Sequence, residues 1–320
     1  MKIFNTAYMV LLVSLLSACA QPASTDWIQQ KYTNQTSKFI TVDGNRVHYR
    51  DERRDEGRDE GRDQGRDQGT GETIILLHGT ASSLHAWDAW AQGLKNNHRI
   101  IRMDLPGFGL TGPDRLDRYE VSDDVAFLSA FMNQLEIKQA HIVGSSLGGR
   151  IAWQYALEFP DQVESLTLIN ALGYPQAQWP PAIEMGQWPI VDQIMEHFSP
   201  RFMYEIGLKE VYFDKGMVND ALVDRYYEMS RYPGNLAAFP KRVKAQLDTD
   251  SLSIKGIHVP TLILWGEEDI YFPVARAHQF KHDIKGAKLH TYSNVGHLPM
   301  EEVPNQSMSD FNQFITTLIH

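Results

Sequence analysis

The chain has 320 residues, 42% hydrophobic and 22% charged, a composition with enough apolar material to build a core without staples. Seven Trp, thirteen Tyr and fourteen Phe exclude a disordered or purely solvating chain. A formal net charge of −10 argues against nucleic acid as a partner, because an acidic surface repels a phosphate backbone.

The N-terminus reads as an export signal over residues 1–18. Met1-Lys2 supplies a positive start, Ala7 to Leu16 an apolar centre short for a bilayer span, and Ser17 and Ala18 the small residues that precede cleavage. Leu16-Ser17-Ala18-Cys19 resembles a bacterial lipobox, and Cys19 is the single cysteine of the chain. That resemblance implies a mature protein that starts at an acylated Cys19. Several acyl chains would hold it firmly on a membrane of the cell envelope, facing the periplasm or the exterior. Two alternatives stay open. Ala18-Cys19-Ala20 also fits an A-x-A cleavage site, giving a soluble secreted protein, and the uncleaved segment could itself serve as an anchor.

Residues 19–38 are mostly polar and read as a tether. Phe39 to Arg50 alternates around Asp43-Gly44, which is a hairpin signal. Residues 54–69 then repeat a four-residue unit, RDEG twice and RDQG twice, with nothing apolar to bury. The block is expected to be a solvated insert in a loop, since loop entropy rises slowly with length. A docking or ion-binding segment is the alternative, although the Gly-Gly-x-Gly-x-Asp pattern of calcium-binding repeats is missing.

From Glu72 onward short apolar runs alternate with amphipathic ones. Strands are predicted at Thr73–Leu77, Arg99–Met103, Ala140–Val143, Ser165–Ile169, Pro260–Leu264 and Ala287–Tyr292. The clearest helix runs from Ser122, as N-cap, to Leu135, and another is expected near Asn305 to Ile319. Near-continuous apolar strands between helices call for a mostly parallel sheet covered on both faces. In such sheets ligands bind beyond the carboxyl ends of the strands, so functional residues should follow each strand directly.

Gly144-Ser145-Ser146-Leu147-Gly148 follows the Ala140–Val143 strand and precedes a helix. This Gly-x-Ser-x-Gly run in strand–turn–helix context is a nucleophile elbow, with Ser146 lifted above the sheet on a strained turn. A glycine-rich turn whose serines merely cap the helix is the structural alternative. A serine hydroxyl needs a base to take its proton. Among twelve histidines, His297 stands in a Gly–His–Leu–Pro loop directly after the last strand, at the edge where Ser146 points. The base in turn needs a carboxylate to fix its tautomer. Glu267, Glu268 and Asp269 follow the Pro260–Leu264 strand, and Asp269 is the candidate, the two glutamates reading as solvated loop charges. No HExxH pair suggests a metal, and no cofactor is expected.

These motifs, with LLHGT at 76–80, DLPGFGLT at 104–111, LILWGEEDIYFP at 262–273 and VGHLP at 295–299, make residues 39–318 resemble the α/β-hydrolase superfamily. The resemblance is to its branch of small esterases, carbon–carbon bond hydrolases, epoxide hydrolases and dehalogenases. It implies an α/β-hydrolase fold with core at 39–171 and 243–320 and a helical cap at 172–242, inserted after the sixth strand. It also implies an oxyanion hole from the backbone N–H groups of Thr80 and Leu147, and structural rather than catalytic roles for His78 and Asp104. Ser146, where epoxide hydrolases and dehalogenases carry Asp, points to acyl transfer from a carbonyl substrate. The cap segment is rich in large apolar residues, including Trp179, Met203, Tyr204, Tyr226, Met229 and Phe239, which suits an acyl or aromatic substrate or simply the cap's own core. The expected function is hydrolysis of short or medium acyl esters or lipids. The alternatives are a lactonase, a carbon–carbon hydrolase of dienoic diketones and, from another class, a non-catalytic binding protein.

Overall fold

The structure, a computed structural model, describes residues 24–53, 72–176, 199–246 and 252–318; the export signal, Cys19 and the 54–69 insert lie outside them. Eight strands form one sheet: β1 (Ser37–Val42), β2 (Asn45–Glu52), β3 (Thr73–Leu77), β4 (Arg99–Met103), β5 (Ala140–Ser145), β6 (Val163–Ile169), β7 (Thr261–Gly266) and β8 (Lys288–Tyr292). Their order across the sheet is β1-β2-β4-β3-β5-β6-β7-β8; β2 pairs antiparallel with both β1 and β4, and β3 to β8 pair parallel.

Alternation along each strand splits the core in two. Ile75 and Leu77 of β3 pack with Ile101, Ile142, Leu168 and Ile263 on one face. There they meet helices α3 (Val121–Gln134), α4 (Leu147–Glu158) and α8 (Ala275–Asp283). Ile74 and Leu76 point the other way, to Trp87, Trp90, Phe311 and Phe314 beside α2 (Asp88–Leu94) and α10 (Pro304–Thr316). Strands buried on both faces need apolar side chains at every position, which is why their sequences read as continuous runs.

The start of α3 differs from the sequence expectation. Its N-cap is Glu120 and not Ser122: Glu120 and Asp123 form a capping box, with Asp123 Oδ2 accepting from the Glu120 N–H at 3.1 Å. Such a box satisfies two orphan N–H groups where a lone serine satisfies one.

The expected tether also contains structure. Thr25–Tyr32 forms helix α1, capped by Ser24, and β1 begins at Ser37. Ile28 and Tyr32 pack with Leu110 and Met229, and the Lys31 ammonium and Tyr32 hydroxyl both reach the Glu228 carboxylate at 2.5 Å. Only a few apolar residues at helical spacing signal this segment, and their partners lie far along the chain.

Between β6 and β7 the described chain forms α5 (Arg201–Val211), α6 (Asp220–Ser230) and α7 (Asn235–Gln246), the last running slightly beyond the expected cap boundary. A buried and a part-buried ion pair tie these helices to the layer beneath. Arg242 meets Asp124 at 2.5 Å, and Arg225 meets Glu301 at 2.7 Å on the short helix α9 (Pro299–Glu302).

Candidate active site

The β5–α4 junction is a tight turn built around Ser146, whose backbone stands at φ 54°, ψ −116°. A non-glycine residue there is strained by about 1–3 kcal/mol, a cost met by the packing around it. Two glycines make the turn possible. A Cβ on Gly144 would stand 2.1 Å from the Gly148 carbonyl oxygen, and a Cβ on Gly148 would stand 2.2 Å from that of Leu77. The serine is clamped through its backbone: its N–H donates to the Ile169 carbonyl at 3.1 Å, and its carbonyl accepts from Leu172 at 3.1 Å.

At the ends of β7 and β8 the structure pairs the expected acid and base. His297 Nδ1 lies 2.7 Å from Asp269 Oδ2, and both side chains are buried. With the carboxylate on Nδ1, the proton resides there and Nε2 keeps the lone pair that a general base requires. The ring is held between Tyr271 and Phe272, and the His297 N–H donates to the Val211 carbonyl at the end of α5. Glu267 and Glu268 are exposed, so Asp269 is the buried carboxylate of the three.

Ser146 and His297 line one cavity of about 260 Å³ between the sheet edge and the cap helices. Thr80 lines it as well, and the preceding Gly79 passes so close that its Cβ position lies 3.0 Å from the Ser146 Cβ. Leu147 is the first residue of α4, where a backbone N–H has no intrahelical acceptor. The two expected oxyanion donors therefore flank the serine. Met203, Tyr204, Tyr226, Met229 and Phe239 of the cap line the cavity, and all but Met203 also pack in or against the hydrophobic core.

His78 and Asp104 sit outside this cavity lining and are fully buried. His78 Nε2 accepts from the Leu105 N–H at 3.0 Å and Nδ1 donates to the Gly79 carbonyl at 2.7 Å, which fixes a neutral ring. Burial pushes its pKa down to about 4, outweighing the nearby Asp104 charge. Burial works against the Asp104 carboxylate too. Even so, its His48 partner at 2.7 Å and the Leu84 N–H hold its pKa down at about 2. Both residues brace the turns that carry Gly79 and Leu110.

Two contributors went unread in the sequence. Asn170, fully buried just after β6, donates from Nδ2 to Asp269 Oδ2 at 2.6 Å and accepts from the Gly266 N–H at 3.0 Å. Glu302 accepts from the Gly296 N–H at 2.9 Å and from the Phe213 N–H at 2.7 Å, joining the histidine loop to the cap. Position directly after a strand is the one signal that could have marked Asn170.

Among the described residues, one set of metal-capable side chains converges: Glu72, His141 and Glu164, within 4.8 Å of one another. It lies at the amino ends of β3, β5 and β6, across the sheet from Ser146.

A parallel sheet of this order, a strained serine at the β5–α4 turn and an Asp–His pair at two later strand ends define a hydrolase of the α/β class. The chain belongs to the alpha/beta hydrolase fold family, whose model matches residues 72–304. It is similar to the 2-hydroxy-6-oxo-2,4-heptadienoate hydrolase of Pseudomonas putida, with 28% identity over 71% of this chain and 83% of that one. It is also similar to Lipase 3 of a Moraxella species, with 26% identity over 77% of this chain and 78% of the relative. A solved meta-cleavage product hydrolase from Pseudomonas fluorescens superposes with a TM-score of 0.73 and 25% identity, covering 88% of this chain and 97% of the other.

Proposed function

We propose that this hydrolase cleaves carboxylic esters of uncharged, apolar acyl groups through an acyl-enzyme on Ser146. In this reading His297 takes the serine proton as the hydroxyl attacks the ester carbonyl. Asp269 holds the imidazole in the required tautomer and stabilises the imidazolium. The Thr80 and Leu147 N–H groups stabilise the oxyanion, and the protonated His297 hands its proton to the departing alcohol. Water then repeats the sequence on the acyl-enzyme.

The observation that favours esters is the charge of the cavity. No Asp, Glu, Lys or Arg lines it among the described residues. Several of its polar groups are already committed: Tyr226 OH donates to Glu301, Tyr204 OH to Ser230, and both Asn235 amide protons to backbone carbonyls. A dienoate is a carboxylate, and burying one without a cation or free donors costs several kcal/mol. Residues 177–198, which complete the cap sequence, contain neither Lys nor Arg. Carbon–carbon hydrolysis of a dienoic diketone is the second reading, favoured by the similarity to the Pseudomonas putida enzyme.

The N-terminal signal supports placement on the cell envelope through an acylated Cys19, with soluble secretion as the alternative. No helix among the described residues is long and apolar enough to cross a membrane.

The experiment is a comparison of p-nitrophenyl esters of graded chain length with a 2-hydroxy-6-oxo-dienoate. The ester reading predicts turnover of the neutral esters with kcat/KM rising with acyl length until the cavity is filled, and negligible turnover of the dienoate. Efficient cleavage of the dienoate with no ester turnover would overturn it.

A further inference from the structure

Exposed apolar side chains are not scattered evenly over this molecule. On α5, Phe202 and Ile206 are 60% and 56% exposed, and Ile270, in the loop that carries Asp269, is 62% exposed. Phe202 and Ile206 are four residues apart and so share one helix stripe with Glu210. The Glu210 carboxylate accepts from the Tyr271 hydroxyl at 3.3 Å, which brings Ile270 to the end of that stripe. Phe213, just beyond α5, is exposed as well. The inner side of these two segments is the cavity wall: Met203, Gly207, Leu208 and Val211 of α5 line it, as do Tyr271 and Phe272. The exposed apolar residues therefore form a collar outside an apolar cavity. A group of exposed apolar side chains on neighbouring segments carries a solvation cost that a partner would remove.

The chain preceding the structure points to what that partner is. Helix α1 ends on the cap, where Lys31 and Tyr32 hold Glu228 of α6. Arg201, at the start of α5, is paired with Asp220 and Asp224 of α6, so α1, α6 and the collar helix are successive neighbours. Four residues lie between Cys19 and Ser24, so five residue steps, at most about 18 Å of extended chain, join them, and α1 adds roughly 12 Å. Acyl chains on Cys19 would keep the collar side of the molecule close to the bilayer that holds them. Trp27, exposed on α1, is a side chain suited to the headgroup layer.

We propose that the collar of Phe202, Ile206, Phe213 and Ile270 docks on a lipid bilayer, so that the hydrolase rests cap-down with its cavity wall against the membrane. The orientation this gives to substrate rests on the ester reading above; the docking itself does not. It implies that acyl chains can pass from lipid to Ser146 without crossing bulk water. With a net charge of −10 on the chain, attachment is apolar and does not weaken with added salt.

The test is fluorescence of the full chain carrying Cys19→Ser, with an environment-sensitive dye on Ile206→Cys or, as control, on Lys138→Cys, which is exposed away from the cap. On phosphatidylcholine vesicles, the dye at 206 is expected to brighten and to be quenched by lipid-borne quenchers, and the dye at 138 to do neither. Adding Phe202→Ser and Ile270→Ser to the 206-labelled chain should weaken vesicle affinity about tenfold. Equal exposure of the two dyes on vesicles, or no association at all, overturns the proposal. So does burial of the 206 dye by self-association without lipid, which would give the surface to a second copy. Neither readout uses turnover: a chain that docks but cleaves no ester keeps this inference and loses the ester reading.

Discussion

Asn170 donates its side-chain N–H to Asp269 Oδ2 at 2.6 Å, the same oxygen that accepts from His297. Its neighbours Ile169 and Leu172 bind the backbone of Ser146. One short segment after β6 thus holds the proposed nucleophile through its main chain and the proposed acid through a side chain. Replacing Asn170 by Ala takes one donor from Asp269 Oδ2, leaving the carboxylate held by His297 on that oxygen and by the Tyr271 N–H on Oδ1 at 2.8 Å. We expect kcat to fall about 10- to 100-fold with KM nearly unchanged, since a lost buried hydrogen bond is worth about 1–3 kcal/mol. Steady-state kinetics of Asn170→Ala check this; a selective rise in KM would make Asn170 a substrate contact instead.

The acid can be tested against its neighbours. Asp269→Asn should lower kcat roughly 10⁴-fold by favouring the wrong imidazole tautomer. Glu268→Gln, on an exposed side chain, should change it little. The two variants assayed side by side give the answer, and a larger loss at 268 would move the acid.

Backbone strain at Ser146 predicts a stability effect opposite to the activity effect. Ser146→Ala should lose about 10⁶ in turnover while folding normally. Ser146→Gly should be equally inactive yet more stable than Ser146→Ala by about 1 kcal/mol, because glycine relieves the positive φ. Denaturant midpoints of the two inactive proteins measure this. Gly148→Ala, with its methyl 2.2 Å from the Leu77 oxygen, should by contrast fail to fold stably.

Much of this site was legible because it is local. The Gly-x-Ser-x-Gly run, the apolar strands and the placement of Asp269 and His297 directly after strands are all written within a few residues. What escaped was non-local. Asn170 acts on a carboxylate 99 positions away, and an Asn after a strand has no pattern of its own. Helix α1 was hidden for the same reason: Ile28 and Tyr32 are buried by Leu110 and Met229, without which the segment looks like a polar linker. At α3 the competition is local: Ser122 is a good cap by type, but the reciprocal Glu120–Asp123 pair satisfies more backbone.

Acid should destabilise the fold through His78. Its folded pKa, about 4, lies below the value near 6.5 of an unfolded histidine, so the unfolded chain binds a proton that the folded one refuses. Stability is complete above pH 6.5 and falls by roughly 3 kcal/mol as pH drops to 4, after which this group contributes no further change. Below about pH 4 protonation of Asp104, whose folded pKa is near 2, continues the loss. Urea unfolding at pH 7, 5.5 and 4 checks the slope, which should become shallower between 6.5 and 4 in His78→Gln, the remainder coming from groups such as His85 and His98, whose pKa values burial also lowers.

The acylation proposal can be tested apart from the catalytic one. Cys19→Ser should move the protein from membrane to soluble fractions of the producing cell while leaving hydrolysis of a water-soluble ester unchanged. Unaltered fractionation would remove the acylation proposal.

The central claim, that Ser146 is the activated nucleophile, is tested most directly by reacting the folded protein with a fluorophosphonate and mapping the adduct by mass spectrometry. One phosphonyl group per chain, on the peptide containing Ser146 and absent from Asp269→Asn at matched short reaction times, is the predicted result. A folded protein that stays unmodified, or carries the adduct on another residue, would contradict it.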